Sequence, residues 1–297
     1  MQIAVKLPGR TWLWWGSMVA IAFLNLLLFR HVNRSKRARD VEHKRYQRVL
    51  KMLCLPFLFE CAWRSVFPCL YNERQVLFDT PLNAILLDRS LAAVGEVCWV
   101  LQICLILEQL ATDLKMHSAR PCLGKCVVEC CSILMALLAL CGETCSFLGT
   151  FTTNVWYEVL EASCWCLLFA LGSLAAASLL CPMSRFRAPA CKRFLAVLCL
   201  QGFIYCPYMI LSNIPMYYQR WQKDEAAHRQ YLHLWPGIRD AAQHREPQTE
   251  WRYWQNDWLW MSVYFSLAVW SSILMMYAPR IPNDDAVRQH LEIGQST

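Results

Sequence analysis

The chain has 297 residues, 57% hydrophobic and only 17% charged, with 14 Trp and 10 Gly. That is too apolar for an ordinary soluble domain and too rich in core-forming side chains for a disordered one. The net charge of +7 does not point to nucleic acid as a partner, because the basic residues crowd into residues 30–51 beside one hydrophobic run, where they act as a topology signal.

Several runs of about 20 residues carry almost no charge, each long enough to cross a hydrocarbon core of about 30 Å. Their continuity excludes the alternating pattern of a membrane barrel, so the expected fold is all-α, a polytopic membrane helix bundle. The first helix covers 11–29. Lys6 and Arg10 before it imitate a signal peptide, but the apolar core is longer than a usual one and no small-residue cleavage site follows. Residues 1–10 are then an exterior tail and the basic loop 30–51 is cytosolic. The second helix covers 52–71 and the third 90–109. Between them, segment 72–89 is half apolar and reads as an interfacial amphipathic helix in preference to a re-entrant lid.

A basic loop with Lys115, Arg120 and Lys125 leads into the fourth helix, 126–148. The turn 149–154 has no basic residue and precedes the fifth helix, 155–181. Arg185, Arg187, Lys192 and Arg193 follow, and Pro182 and Pro189 interrupt that connector. The sixth helix covers 194–213, the exterior loop 215–257, and the seventh helix 258–278. Residues 280–297 form a cytosolic tail. Short loops alternate between basic and weakly charged, which sets seven helices with the N-terminus outside and the C-terminus in the cytosol. Trp12, Trp14, Trp15, Tyr71, Trp156, Tyr157, Tyr217, Tyr218, Trp258 and Trp260 all fall at the outer ends, as an aromatic belt would. The aromatic loop 215–257 is expected to fold onto the outer surface. The lipid bilayer is thus the one partner the sequence implies, in a plasma membrane or an endomembrane.

Ionisable groups inside a bilayer are costly and mark candidate sites. Glu60 and Arg64 stand four apart, in the favourable order for a pair within one helix. Glu96, Glu143, Glu158 and Glu161 follow on the third to fifth helices, and Tyr208 and Asn213 add polar groups on the sixth. With each helix given its direction, these residues gather in the outer half of the bundle, Glu96 and Glu143 roughly 7 to 9 Å below the surface. Carboxylates outnumber the single buried Arg64, so some are protonated, solvated or neutralised by a cation. The reading is a ligand-binding site for a small or lipid-like solute, bound or transported. Two alternatives stand beside it: an intramembrane lipid-modifying enzyme with paired carboxylates, and an assembly subunit whose charges only hold helices together.

No cofactor or metal is expected. The seven His lie outside these helices, and Cys122, Cys126 and Cys130 share a helix face but lack a fourth ligand, which favours packing. No phosphate-binding or dinucleotide fingerprint occurs, no G-x-S-x-G, and no Lys in the seventh helix. Most Cys lie within the hydrophobic runs and the long outer loop has none, so a disulfide framework is not expected. Cys122, Cys181 and Cys191 flank helices on the basic side, where palmitoylation occurs. Helix count alone is shared with G-protein-coupled receptors; the Asp-Arg-Tyr and Asn-Pro motifs of that family are absent.

Overall fold

A computed structural model describes residues 9–35, 41–116, 123–183 and 188–278; the two tails and parts of the basic connectors lie outside them. The chain folds as a helical bundle with a small cap at one end. Helices α1 (Arg10–Ser35), α2 (Val41–Val66), α3 (Ile85–Met116), α4 (Leu123–Thr152) and α5 (Trp156–Met183) each pack on the next. Helix α6 (Pro189–Tyr208) runs through a π-helical turn at Met209–Asn213 into α7 (Ile214–Ala226). This rod continues well past residue 213, where the sequence predicts a loop. Pro215 has no amide proton for the carbonyl four residues before it, which is a reason for the helix to widen there without ending.

The helices extend beyond the apolar stretches because hydropathy marks only what lipid covers, whereas the backbone ladder continues through polar end turns. Six of the long helical segments are apolar and long enough to cross a membrane: Arg10–Arg34, Ile85–Leu114, Lys125–Thr152, Trp156–Met183, Pro189–Ala226 and Trp258–Met275. Helix α2 has 26 residues but carries Lys51, Glu60 and Arg64 through its apolar half. It is sunk in the bundle, with Leu50, Cys54, Phe57 and Cys61 fully buried.

The last rod joins α10 (Trp258–Val263), a second π-helical turn (Tyr264–Ala268) and α11 (Val269–Met275), and returns to pack against α1, α2 and α3. A π turn frees backbone groups. Asn25 of α1 answers one: its Nδ2 donates to the Phe265 carbonyl at 2.8 Å, while its Oδ1 accepts from Trp270 Nε1 at 2.8 Å.

Segment 72–89 forms neither an interfacial helix nor a re-entrant one, because Pro68 and Pro81 break helical pairing at both ends. Strands β1 (Cys69–Leu70) and β2 (Gln75–Val76) form an antiparallel hairpin, with Arg74 left-handed at φ 56 in its turn. Strand β3 (Glu246–Pro247) joins β2 in parallel. The side chain of Thr80 then accepts from Leu82 N to cap a 3₁₀ turn at Pro81–Asn83, and α3 starts at Ile85.

Past α7, residues 227–257 fold onto one end of the bundle. Helix α8 (Leu234–Gln243) lies on the end of α4, where Gly237 is pressed so close to the Phe151 carbonyl that any Cβ would collide with backbone. Leu232 N donates to Thr152 O at 3.0 Å. Three ion pairs tie the hairpin segment to α7 and to the segment after it: Glu73 with Arg220, Arg74 with Asp240 at 2.7 Å, and Asp79 with Arg245 at 3.3 Å. Trp254, in the short helix α9 (Trp251–Trp254), is fully buried against Trp14, ring centroids 5.3 Å apart.

Candidate functional site

Directly under the cap lies a buried network of charge. Arg64, near the end of α2, points at three carboxylates: Glu60 one turn before it at 3.6 Å, and Asp88 and Glu96 of α3 at 3.3 and 3.5 Å. Arg89, in the first turns of α3, pairs with Glu96 at 3.5 Å and with Glu143 of α4. All six side chains are buried. Burying an arginine removes its hydration, and several oxygens at moderate distance replace that hydration better than one contact would. Glu96 thus bridges both guanidinium groups.

Aromatic rings complete the surroundings. Tyr71, in the hairpin turn, sits beside both guanidinium carbons, 5.7 Å from Arg64 and 5.5 Å from Arg89, and its hydroxyl donates to Asp88 at 2.8 Å. Arg64 also faces Tyr264 and Phe265 of the π turn at 5.8 and 5.3 Å. Rings at these distances stabilise a desolvated cation. Burial pushes the Tyr71 hydroxyl well above its ordinary range, and burial, reinforced by Asp88, does the same to the Cys69 thiol. Both therefore stay protonated.

The Tyr264 hydroxyl lies 2.9 Å from Glu96 Oε1 and 3.1 Å from Glu60 Oε1. A phenol has one proton, so it can donate to only one of them at a time. Cys61 donates its S–H to the same Glu60 oxygen at 3.2 Å. The close approach of α3 to α2 here depends on Gly95, where a Cβ would strike the Glu60 side chain and crowd the Phe57 Cα at 3.1 Å.

Glu158 and Glu161 stand beside this core on α5, one turn apart and within the field of Arg89. Asn72 of the hairpin turn donates to Glu158 at 3.3 Å. Further along α3, roughly 9 Å from Glu96 at 1.5 Å per residue, Gln102 ties three helices together. Its Nε2 donates to Leu50 O and Ser272 O at 3.2 and 3.0 Å, and Ser272 Oγ donates back to its Oε1 at 2.7 Å.

Of the residues singled out in the sequence, Glu60, Arg64, Glu96 and Glu143 are in the network and Glu158 and Glu161 adjoin it. Tyr208 does not join it; its ring is exposed on the outside of the bundle. Asn213 is half-buried at the end of the π turn, with no side-chain hydrogen bond among the described residues.

Arg64 is not the single buried arginine. Arg89 is its counterpart, brought in with Asp88 because α3 starts at Ile85, five residues before the expected start. Glu96 and Glu143 lie roughly 16 and 14 Å along their helices from the capped ends of α3 and α4. The clue was present in Pro81-Leu-Asn followed by an apolar Ile85-Leu86, a helix start that the Asp88-Arg89 pair obscures.

Other expectations shift too. Cys191 is buried, out of reach of an acyl chain, while Cys181 is exposed and Cys122 lies outside the described residues. Cys126 and Cys130 are exposed on the bundle surface and do not pack within the chain. His31 and His43 fall inside the lengthened α1 and α2, far from the network. Among the described residues no three His, Cys, Asp or Glu side chains stand close enough to ligate a metal ion.

Comparison with protein-family models, curated proteins and solved structures finds no match. The chain is a helical bundle with, among the described residues, six helices of membrane-spanning length and composition, and the reading of its site rests on its own geometry.

Proposed function

We propose that the chain is a seven-pass membrane protein, α2 being the seventh span, with its N-terminus and cap outside, and that the capped network binds a small cationic solute and carries it across the membrane. One observation supports this above the rest: among the described residues, the buried network and its neighbours bring Glu60, Asp88, Glu96, Glu143, Glu158 and Glu161 together with Arg64 and Arg89 as counter-charges. A permanent packing network gains by matching its charges, because each unpaired buried charge costs several kcal/mol. An excess of acid is what a site needs if its positive charge arrives with a ligand. The cap covers that end, and a site reached from one side would be entered when the cap opens.

The test is binding and then flux. Purified protein is screened by thermal shift against quaternary ammonium ions, primary amines, polyamines and basic amino acids, where a ligand raises the transition in proportion to its occupancy. Uptake of any hit into proteoliposomes should vanish in Glu96→Gln and Glu143→Gln, while the variants keep the elution profile and transition of the parent. If the variants unfold, the carboxylates serve packing and the reading fails.

A further inference from the structure

At the end of α1 away from the cap, an open groove of about 320 Å³ is lined, among the described residues, by Leu27, Arg30, His31 and Arg34. These four stand at i, i+3, i+4 and i+7 and so share one face of the helix. The uncharged stretch Thr11–Phe29 covers roughly 28 Å with a rise of about 1.5 Å per residue, close to the ~30 Å of a hydrocarbon core. Arg30 is the first residue past it. From Arg30 to Arg34 the helix rises roughly 6 Å, which matches the headgroup layer of about 5 to 8 Å on either side of that core. The groove therefore lies at the depth of lipid phosphates, and exposed Phe23 and Leu27 continue the same face into the acyl region.

Basic residues at a helix end have an ordinary explanation: they fix topology, and Arg34, in the last turn, offsets the negative helix terminus. Topology, however, needs a count of charges and no particular shape. Here the charges are guanidinium groups one turn apart, so two planar forks line one groove. Neither arginine has an ion-pair partner among the described residues. The end of the rod that carries them is held in place: the Tyr277 hydroxyl donates to Asn33 O at 3.4 Å, and Lys51 of α2 lies over the Tyr277 ring at 5.0 Å. Fixed cations above an apolar face complement an anionic lipid. A bridging phosphodiester has two free oxygens, enough for one fork, whereas a terminal phosphate has three, which two forks can share.

We infer that this groove binds one anionic phospholipid with a terminal phosphate, Arg30 and Arg34 holding the phosphate while Phe23 and Leu27 lie against an acyl chain. The site is at the opposite end of the bundle from the charged network and does not depend on what that network binds. It rests on the membrane placement alone, and with the cap outside it takes its lipid from the cytosolic leaflet.

Native mass spectrometry of the delipidated full chain in detergent counts bound lipid directly. Phosphatidic acid should bind as one copy, about tenfold more tightly than phosphatidylserine or phosphatidylcholine. The double variant Arg30→Gln/Arg34→Gln should lose that tenfold, whereas Lys44→Gln/Arg45→Gln, which removes the same charge from α2, should bind as the parent does. Arg30→Lys/Arg34→Lys keeps the charge without the forks and should weaken phosphatidic acid about tenfold as well, so the test stands even where the glutamine variant fails to fold. Unchanged binding in the lysine variant overturns the two-fork contact. Equal losses in both glutamine variants, or no preference among the three lipids, overturn the site and leave a diffuse basic surface. Glycerol 3-phosphate should not displace the lipid at equal concentration; if it does, the groove takes a soluble phosphate and the lipid assignment is overturned.

Discussion

At the scale of the residue, Tyr264 is where the network is most exposed to a single change. Its hydroxyl is the one neutral donor that reaches both Glu60 and Glu96, so Tyr264→Phe leaves the ring in place and takes away only the proton. The variant should lose about 1 to 3 kcal/mol, read as a lower transition temperature in detergent, and an unchanged transition would mean that water replaces the hydroxyl. Side-chain types at this scale were partly legible. Glu60 and Arg64 identify each other by spacing, and an intramembrane carboxylate draws attention wherever it falls. Asp88 and Arg89 read as part of the segment before the third helix, because charge at the edge of an apolar run looks like a loop. Tyr71 escaped because a tyrosine near a helix end reads as interfacial anchoring.

At the scale of the element, two devices hold the site. The first is the π turn that aims Tyr264 and Phe265 inward, braced from α1 by Asn25. Asn25→Leu strands the buried Phe265 carbonyl and releases the partly exposed Trp270 indole, which should cost about 1 to 3 kcal/mol, mainly from the carbonyl left unpaired. Hydrogen exchange should then quicken around Tyr264–Ala268 and remain as before in α4. The second is the hairpin latch to α8. Cys69 sits in β1, buried, with its thiol pushed well above its ordinary value by burial. It should react with maleimide only when the latch opens, and Arg74→Gln, which removes the 2.7 Å pair with Asp240, should speed that labelling several-fold. Equal rates in both proteins would mean that the strand pairing alone keeps the cap closed. Neither device follows from local sequence. A π turn depends on which side chain answers the freed carbonyl, and β3 lies 170 residues beyond β2.

At the scale of the whole molecule, the helical membrane architecture was legible because lipid allows so few solutions: long uncharged runs must close their backbone hydrogen bonds within themselves. Helix ends were less so, since hydropathy reports the lipid boundary and not the end of the ladder. The proposed orientation makes a direct prediction. In a Cys-depleted background, His233→Cys beside α8 should label from outside intact cells, and Lys44→Cys near the start of α2 only after permeabilisation. The reverse pattern would turn the capped end toward the cytosol and refute the orientation.

The Gln102 clasp has an electrical meaning. With α3 across a bilayer, the glutamates lie on the capped side of a plug of satisfied amide and hydroxyl groups that offers a travelling charge no free acceptor. The voltage drop therefore divides, part across the approach to the carboxyls and part across the plug. One elementary charge crossing the whole drop exchanges about 2.3 kcal/mol per 100 mV. A charge that stops at the glutamates takes a fraction of that. On the proposed reading the clasp would make the bundle a divider, and occupancy of the glutamates would register the membrane voltage before anything has crossed.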